Sequence, residues 1–224
     1  MTEPTLRIVI GTAGSGKSTI AQRLAREYAA AYLDKDAMSA RFVEAALLAA
    51  GYDPGDRESN AYYREQILPL EYDSLLDVAG ANLRIGRPVV IDAPFSPYLS
   101  DPDFITAAAE RFHWPPVDVE VVRVRVSPAT LQHRLRERGL ERDAYKLAHW
   151  DEYWATHGGQ ACAWTGVRLS ELSNDSDEAE FPLDKRSTQA RRKAQDEAPR
   201  REPLGTLLAM DREHGPSPRN DTGR

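Results

Sequence analysis

The chain has 224 residues, a mass of 25.0 kDa and a formal net charge of -6 at pH 7, with 41% apolar and 29% charged residues. This composition is typical of a globular protein and excludes collagen-like, fibrous and wholly disordered classes. The acidic balance argues against a protein that coats nucleic acid nonspecifically, because such a protein needs a basic face. The single cysteine, Cys162, excludes a disulfide scaffold and a cysteine-based zinc site.

The chain contains no run of 18 apolar residues, which is the length that a membrane-spanning helix needs. Its first residues, MTEPTLRIVIG, lack the basic and then apolar segments of a secretory signal. With one cysteine and an acidic balance, these features lead us to expect a cytoplasmic protein with no membrane partner.

The composition changes near Ser173. Residues 174–224 contain 10 Lys or Arg and 11 Asp or Glu among 51 residues, with Phe181 as the one aromatic residue. A segment with so little apolar surface cannot offset the entropy of ordering it. We therefore predict one folded domain over residues 1–173 and a charged, disordered tail over residues 174–224.

The first predicted strand, residues 6–10, is followed by a glycine-rich loop and by a helix over residues 18–30. The loop matches the pattern G-x-x-x-x-G-K-[ST] and stands between a strand and a helix, as that pattern requires. Its glycines let the backbone curl so that consecutive N–H groups point at phosphate oxygens, and the helix N-terminus adds positive charge. The predicted nucleotide-binding residues are Gly11, Thr12, Ala13, Gly14, Ser15, Gly16, Lys17, Ser18 and Thr19, with Lys17 on the β- and γ-phosphates and Ser18 on Mg²⁺.

A second strand over residues 31–33 leads into Leu33-Asp34-Lys35-Asp36. The carboxyl ends of parallel strands face the ligand crevice, so a carboxylate there can accept the proton of a substrate hydroxyl. We take Asp36 as this base, and we also expect it to cap a helix that runs to Gly51. Asp34 is open to two interpretations, a solvated charge at the strand end or a ligand of the substrate.

Residues 61–85 are predicted to form a long helix that Pro69 kinks or splits. Its predicted core face contains Ile67, Leu68, Leu75, Leu76 and Val78. The stretch from Tyr62 to Asp73 either lines the acceptor pocket or supplies core aromatic side chains.

The third strand, residues 88–91, is apolar and ends in Asp92. A carboxylate in this position is typical of the residue that orients Mg²⁺ in phosphate-binding folds of this kind. The alternative is that Asp92 only caps or turns the chain before Pro94.

A helix over residues 104–112 and a fourth strand over residues 117–126 precede Ser127-Pro128, which predicts a capped helix that ends at Gly139. Arg134 and Arg138 are four residues apart and share one face of this helix. If this helix is a lid that closes over a bound nucleotide, its guanidinium groups can stabilise the charge of a transferred phosphoryl group. The alternative is a solvated basic face that pairs with Glu137 and Glu141. A helix from Asp143 to Trp154 and a short strand near residues 167–169 complete the pattern.

Strands that alternate with helices predict an α/β fold with a parallel sheet. We expect a three-layer sandwich of the P-loop NTPase type, with about five strands, helices on both faces and an arginine-rich lid.

The segments GTAGSGKST, YLDKD, VVIDAPF and LQHRLRERG resemble, in this order, those of small P-loop kinases of the chloramphenicol phosphotransferase, zeta-toxin, gluconate kinase and polynucleotide kinase group. The resemblance covers about residues 5–172. It implies that Asp36 is the base and that Arg134 and Arg138 contact phosphate. In polynucleotide kinases an arginine lies three residues after the base, whereas this chain has Ser39 at that place.

The sequence therefore predicts an enzyme that moves the γ-phosphate of ATP, with Mg²⁺, to a hydroxyl of a small organic molecule. Asp36, Lys17, Arg134 and Arg138 are the predicted catalytic residues, and Ser18 and Asp92 are the predicted metal ligands. The alternatives are a kinase of nucleic-acid 5′ ends and a nucleotide-binding interaction module without catalysis.

Overall fold

A computed structural model describes residues 3–57, 60–139 and 141–176 of the chain. Of the predicted tail, residues 174–176 are described, and the rest lies outside the described residues. Within the described ranges, no helix is long and apolar enough to cross a membrane.

Five parallel strands form one sheet in the order β2-β3-β1-β4-β5, which confirms the predicted fold class. The strands are β1 (Thr5–Ile10), β2 (Ala31–Asp34), β3 (Val89–Asp92), β4 (Asp118–Arg125) and β5 (Arg168–Ser173). The central strands β1 and β3 are almost wholly buried, as expected for a parallel sheet that helices cover on both faces.

Among the described residues, seven α-helices connect the strands. They are α1 (Lys17–Glu27), α2 (Lys35–Ala49), α3 (Leu68–Arg84), α4 (Phe104–Arg111), α5 (Pro128–Arg138), α6 (Glu141–Ala148) and α7 (Trp150–His157). The larger core lies between the sheet and helices α3 and α4, and a smaller core lies between the sheet and α1. The predicted cap of α5 is confirmed, since the Ser127 hydroxyl accepts a hydrogen bond from the Thr130 amide.

Two predicted helix starts are wrong. The N-cap of α2 is Asp34, whose carboxylate accepts hydrogen bonds from the amides of Asp36 and Ala37, so Asp36 lies inside the first turn. The segment predicted as one helix from Asp143 to Trp154 is two helices, α6 and α7, which meet at His149. Asp143 lies inside α6, where its carboxylate forms an ion pair with Arg138.

The segment predicted as one long helix over residues 61–85 changes from a π-helical to an α-helical turn just before Pro69. A π-helical turn, Tyr63–Ile67, precedes α3, and Pro69 lies in the first turn of α3. Proline is tolerated at that position because its missing N–H is not needed there. Val78 is 38% exposed, so its predicted place in the core is wrong, whereas Ala79 and Leu83 are buried.

Gly80 lets α3 approach Trp114 closely. A Cβ atom at Gly80 would lie 2.7 Å from the Trp114 ring, whose Nε1 donates a hydrogen bond to the Leu76 carbonyl at 3.1 Å. A glycine-to-alanine change inside a helix normally stabilises by about 1 kcal/mol. Here the added methyl group overpacks the core, which costs about 1–3 kcal/mol.

We therefore expect Gly80→Ala to lower the free energy of unfolding, measured by urea denaturation. Ala81→Gly, at an exposed neighbouring position, is the matched control and should cost about 1 kcal/mol through helix propensity alone. A stabilised Gly80→Ala variant would contradict the packing described here.

Candidate active site

The loop after β1 is folded around its glycines. Gly11, Gly14 and Gly16 have φ angles of 152°, 84° and 90°, in the region that favours glycine. A Cβ atom at Gly11 would lie 2.6 Å from the Val124 carbonyl oxygen, so this position also lacks space for a side chain. The sequence therefore needs glycine at these positions to form the cradle.

The side chains of Ser15 in the loop and of Lys17 at the start of α1 fit a bound phosphate. The hydroxyl of Ser15 is buried and has no hydrogen-bond partner within the described part of the chain. The Lys17 ammonium group donates to the loop carbonyl of Thr12 at 3.3 Å. Burial lowers the pKa of Lys17 from its ordinary value. An orphaned hydroxyl and a partly desolvated cation in a glycine cradle are the groups that phosphate oxygens would satisfy.

The ends of β2 and β3 bring two carboxylates together. Asp34 and Asp92 are paired in register on these neighbouring strands. The hydroxyl of Tyr32 lies 3.1 Å from Asp34 Oδ2 and 3.0 Å from Asp92 Oδ2. Burial and the neighbouring Asp92 raise the pKa of Tyr32, so the hydroxyl stays protonated. Tyr32 is a site residue that the sequence analysis missed.

Asp36 lies beside two cations. The Lys35 ammonium group is 3.0 Å from Asp36 Oδ1, and Arg57 Nη2 is 3.7 Å from the same oxygen. Both cations also bind Glu71 Oε1, at 3.1 Å from Lys35 and 2.7 Å from Arg57. The side chain of Asp36 is 56% exposed, whereas that of Glu71 is 2% exposed. A buried carboxylate therefore holds the cations that contact the predicted base.

Glu71 joins several elements at this point. Besides the two cations, it accepts hydrogen bonds from the hydroxyls of Ser39 and Tyr63. The sequence analysis missed this residue, although a signal was present. Glu71 is four residues from both Ile67 and Leu75, so the helical spacing places its charge on the buried face.

The lid helix α5 packs directly on the phosphate loop. Leu131 and Leu135 are fully buried, and a Cβ atom at Gly14 would lie 2.9 Å from Leu135 Cδ2 and 3.0 Å from Leu131 Cδ1. Arg134 of the same helix lies near Gly16, since its Nη1 atom would be 4.0 Å from a Cβ atom at Gly16. The packing of Leu131 and Leu135 on the loop thus sets the distance between the arginines of α5 and the cradle.

Arg138 is held by a carboxylate from α6. Its guanidinium group forms a two-pronged ion pair with Asp143, whose side chain is 1% exposed, and Arg138 Nη2 lies 2.8 Å from Asp143 Oδ1. Such paired N–H donors fix the plane of the guanidinium group. The sequence analysis missed this role of Asp143, because a helix pattern does not reveal which side chain reaches back to α5.

The end of β5 also contacts the phosphate loop. Asn174 donates from its side-chain amide to the Ser15 carbonyl at 2.7 Å, and its backbone amide donates to the Arg125 carbonyl at 2.8 Å. Asn174 therefore lies against the loop beside Gly16. No motif in the sequence indicates this contact.

Three carboxylates and one lid arginine influence the pKa of Lys17. Burial is the largest influence on its pKa, and Arg138 also lowers that pKa, whereas Asp92, Asp36 and Asp34 raise it. The structure thus brings the carboxylates after β2 and β3 and one lid arginine within electrostatic reach of the cradle lysine. This arrangement can hold a polyphosphate on one side and deliver a hydroxyl on the other.

The residues present fit Mg²⁺ held mainly by a nucleotide. Among the described residues, no group of three or more His, Cys, Asp or Glu side chains suits a metal ion. Mg²⁺ usually binds one or two carboxylates together with substrate phosphates and waters. Ser18, exposed at the start of α1, and Asp92, 4% exposed at the end of β3, are suitable donors.

A model of the family described as an AAA domain matches residues 6–158 of the chain. The chain belongs to this family. The match begins in β1 and ends just after α7, so it includes the phosphate loop, the carboxylates after β2 and β3, and the lid helix α5.

Solved structures share the fold. One is a protein of Chloroflexus aurantiacus described only as a candidate kinase, with a TM-score of 0.57, 21% identity and coverage of 88% of this chain and 100% of that chain. Another is a sugar kinase of Janibacter sp. HTCC2649, with a TM-score of 0.50, 19% identity and coverage of 76% of this chain and 85% of that chain. The fold expected from the resemblance to P-loop kinases is therefore confirmed.

The Glu71 cluster makes a prediction for stability. Removing one partner of a buried ion pair leaves an uncompensated charge and costs about 3–5 kcal/mol. We expect Glu71→Gln to lower the free energy of unfolding toward this range, because Lys35 and Arg57 lose their shared buried carboxylate.

The measurement is urea denaturation followed by tryptophan fluorescence. Glu44→Gln, at an exposed position of α2, is the control and should change stability by less than about 0.5 kcal/mol. Equal stability of the two variants would show that the cluster is not an energetic centre of the fold.

Proposed function

We propose that this protein is an ATP- and Mg²⁺-dependent phosphotransferase that acts on a hydroxyl group of a small organic molecule. The observation that carries the proposal is that the carboxylates of Asp36 and Asp92 and the guanidinium group of Arg138 lie within electrostatic reach of Lys17. A protein that only binds nucleotide needs no exposed carboxylate on the acceptor side of its phosphate loop.

In this proposal the residues of the phosphate loop, the strand ends and the lid have separate roles. Lys17 and the loop N–H groups bind the β- and γ-phosphates, and Ser18 and Asp92 hold Mg²⁺. Mg²⁺ supplies neutralisation of the charge that develops on the phosphate oxygens. Arg134 and Arg138 stabilise the transferred phosphoryl group from the lid.

The acceptor side is assigned to Asp36. The acceptor oxygen bonds to the γ-phosphorus, the bond from that phosphorus to the β–γ bridging oxygen breaks, and ADP leaves. Asp36 accepts the hydroxyl proton. In a loose transition state this proton moves late, so an ordinary carboxylate suffices as the base. Lys35 and Arg57 orient the carboxylate through its Oδ1 atom.

Ser39 favours a small-molecule acceptor over a nucleic-acid 5′ end. The residue three positions after Asp36 is neutral, and its hydroxyl is bound to the Lys35 carbonyl at 2.7 Å and to Glu71. It therefore offers no cation for an acceptor phosphate at that place. The sugar kinase with the same fold is consistent with an acceptor of this class.

The test is a screen for acceptor-stimulated ADP release with sugars, polyols, nucleosides, hydroxylated antibiotics and oligonucleotides with free 5′ hydroxyls. We expect a small hydroxylated compound to raise ADP release above the rate in water. Stimulation by oligonucleotides alone, falling steeply with added salt, would instead favour the nucleic-acid alternative.

Asp36→Asn should lower turnover with that acceptor by roughly 10²–10⁴-fold, the usual contribution of a general base. Stability should change little, because Asp34 and not Asp36 caps α2. The affinity for ATP, measured by calorimetry, should stay within about twofold, since the phosphate loop is untouched.

Two further variants sharpen this experiment. Asp77→Asn removes an exposed carboxylate of α3 and should leave turnover unchanged. Lys17→Ala should lose ATP affinity and turnover together. Full turnover of Asp36→Asn would exclude Asp36 as the base.

A further inference from the structure

The hydroxyl of Tyr32 stands between two carboxylates with different roles. It lies 3.1 Å from Asp34 Oδ2 and 3.0 Å from Asp92 Oδ2, and Gln22 on α1 hydrogen-bonds the same hydroxyl. A phenol carries one proton, so it donates to one carboxylate at a time. The two acidic groups therefore share a single donor.

The two carboxylates have different roles in the candidate active site. Asp34 Oδ1 accepts from the Asp36 amide at 2.9 Å and from the Ala37 amide at 3.1 Å, so Asp34 fixes the first turn of the helix that carries the proposed base. Asp92 is buried at the end of β3 and is the proposed metal carboxylate.

Asp34 and Asp92 also face the same side of the sheet. They are register partners on parallel strands, and Tyr32 is two residues before Asp34, so the three side chains project to one face. The ring of Tyr32 packs against the cluster under α1, which contains Val9, Val90 and Leu24. The contact of the half-buried ring with this cluster helps to keep the hydroxyl beside the two carboxylates.

We propose that Tyr32 is a positioning residue whose hydroxyl couples the metal carboxylate Asp92 to Asp34, the cap of the base-bearing helix. The proposal rests on the proposed function, because that function assigns the metal to Asp92 and the base to Asp36. In this arrangement the Tyr32 hydroxyl donates to Asp92 Oδ2 or to Asp34 Oδ2 and restrains the rotamers of both carboxylates, and the rotamer of Asp34 is the one that caps α2.

Removal of a residue that orients a metal ligand typically lowers the affinity for the metal 10–100-fold. Tyr32→Phe deletes the hydroxyl and keeps the ring. We therefore expect the affinity of the protein–ADP complex for Mn²⁺, measured by electron paramagnetic resonance, to fall by about 10-fold or more. The affinity for ADP in the presence of EDTA should stay within about twofold, because the phosphate loop is unchanged.

Tyr52→Phe is the matched control. Tyr52 is exposed, and its ring stacks on Tyr62 away from the carboxylates, so both affinities should equal those of the wild type. In an Asp92→Asn background, Tyr32→Phe should cause little further loss of Mn²⁺ affinity, since Tyr32 acts through Asp92. Such non-additivity distinguishes coupling from a general structural defect.

The second arm needs no metal. Loss of the Tyr32 hydroxyl removes the donor that orients Asp34, so the amides of Asp36 and Ala37 should exchange with solvent several-fold faster by NMR. Tyr52→Phe should leave these exchange rates unchanged.

The outcomes separate this inference from the proposed function. Tight Mn²⁺ binding by the wild type and equally tight binding by Tyr32→Phe would overturn the inference and leave the function standing. Equal loss of ADP affinity with and without metal would overturn it as well, because the defect would then be structural. A wild-type protein–ADP complex without Mn²⁺ affinity would overturn both.

Discussion

The parallel register of the sheet is the constraint on which the site depends. β1, β2 and β3 are paired so that the phosphate loop, Asp34 and Asp92 leave the sheet at one edge. Because parallel strands end on the same side, residues that are far apart in sequence meet there without special contacts. Lys17 then lies within electrostatic reach of three carboxylates, those of Asp92, Asp36 and Asp34, which raise the pKa of its half-buried ammonium group.

Helices on either side hold this edge in place. Leu131 and Leu135 of α5 pack on Gly14 and fix the height of the lid arginines above the cradle. On the acceptor side, Glu71 of α3 gathers Lys35 and Arg57, which contact Asp36. A buried charge lowers stability unless it is paired. The buried carboxylate of Glu71 is therefore paired with Lys35 and Arg57, which lie outside α3.

The sequence was sufficient for the fold and for the cradle, because strand periodicity and the glycine pattern are local signals. It placed the cap of α2 on Asp36 because both Asp34 and Asp36 are good capping residues, and only the backbone shows which one lies outside the helix. Tyr32, Asp143 and Asn174 escaped prediction because their partners, Asp92, Arg138 and Ser15, come from other elements. Glu71 was within reach, since its charge falls on an otherwise apolar helix face.

We propose that the phosphate cradle and Asp36 face one another across a single reaction centre. A crystal structure with ADP, Mg²⁺ and aluminium fluoride, which mimics the phosphoryl group in transfer, would show both sides of this centre. We expect the ADP phosphates in the loop against Lys17, the fluoride group beside Arg134 and Arg138, and the Asp36 carboxylate on the open side of that group. A fluoride group turned away from Asp36, or a nucleotide bound outside the loop, would contradict this arrangement.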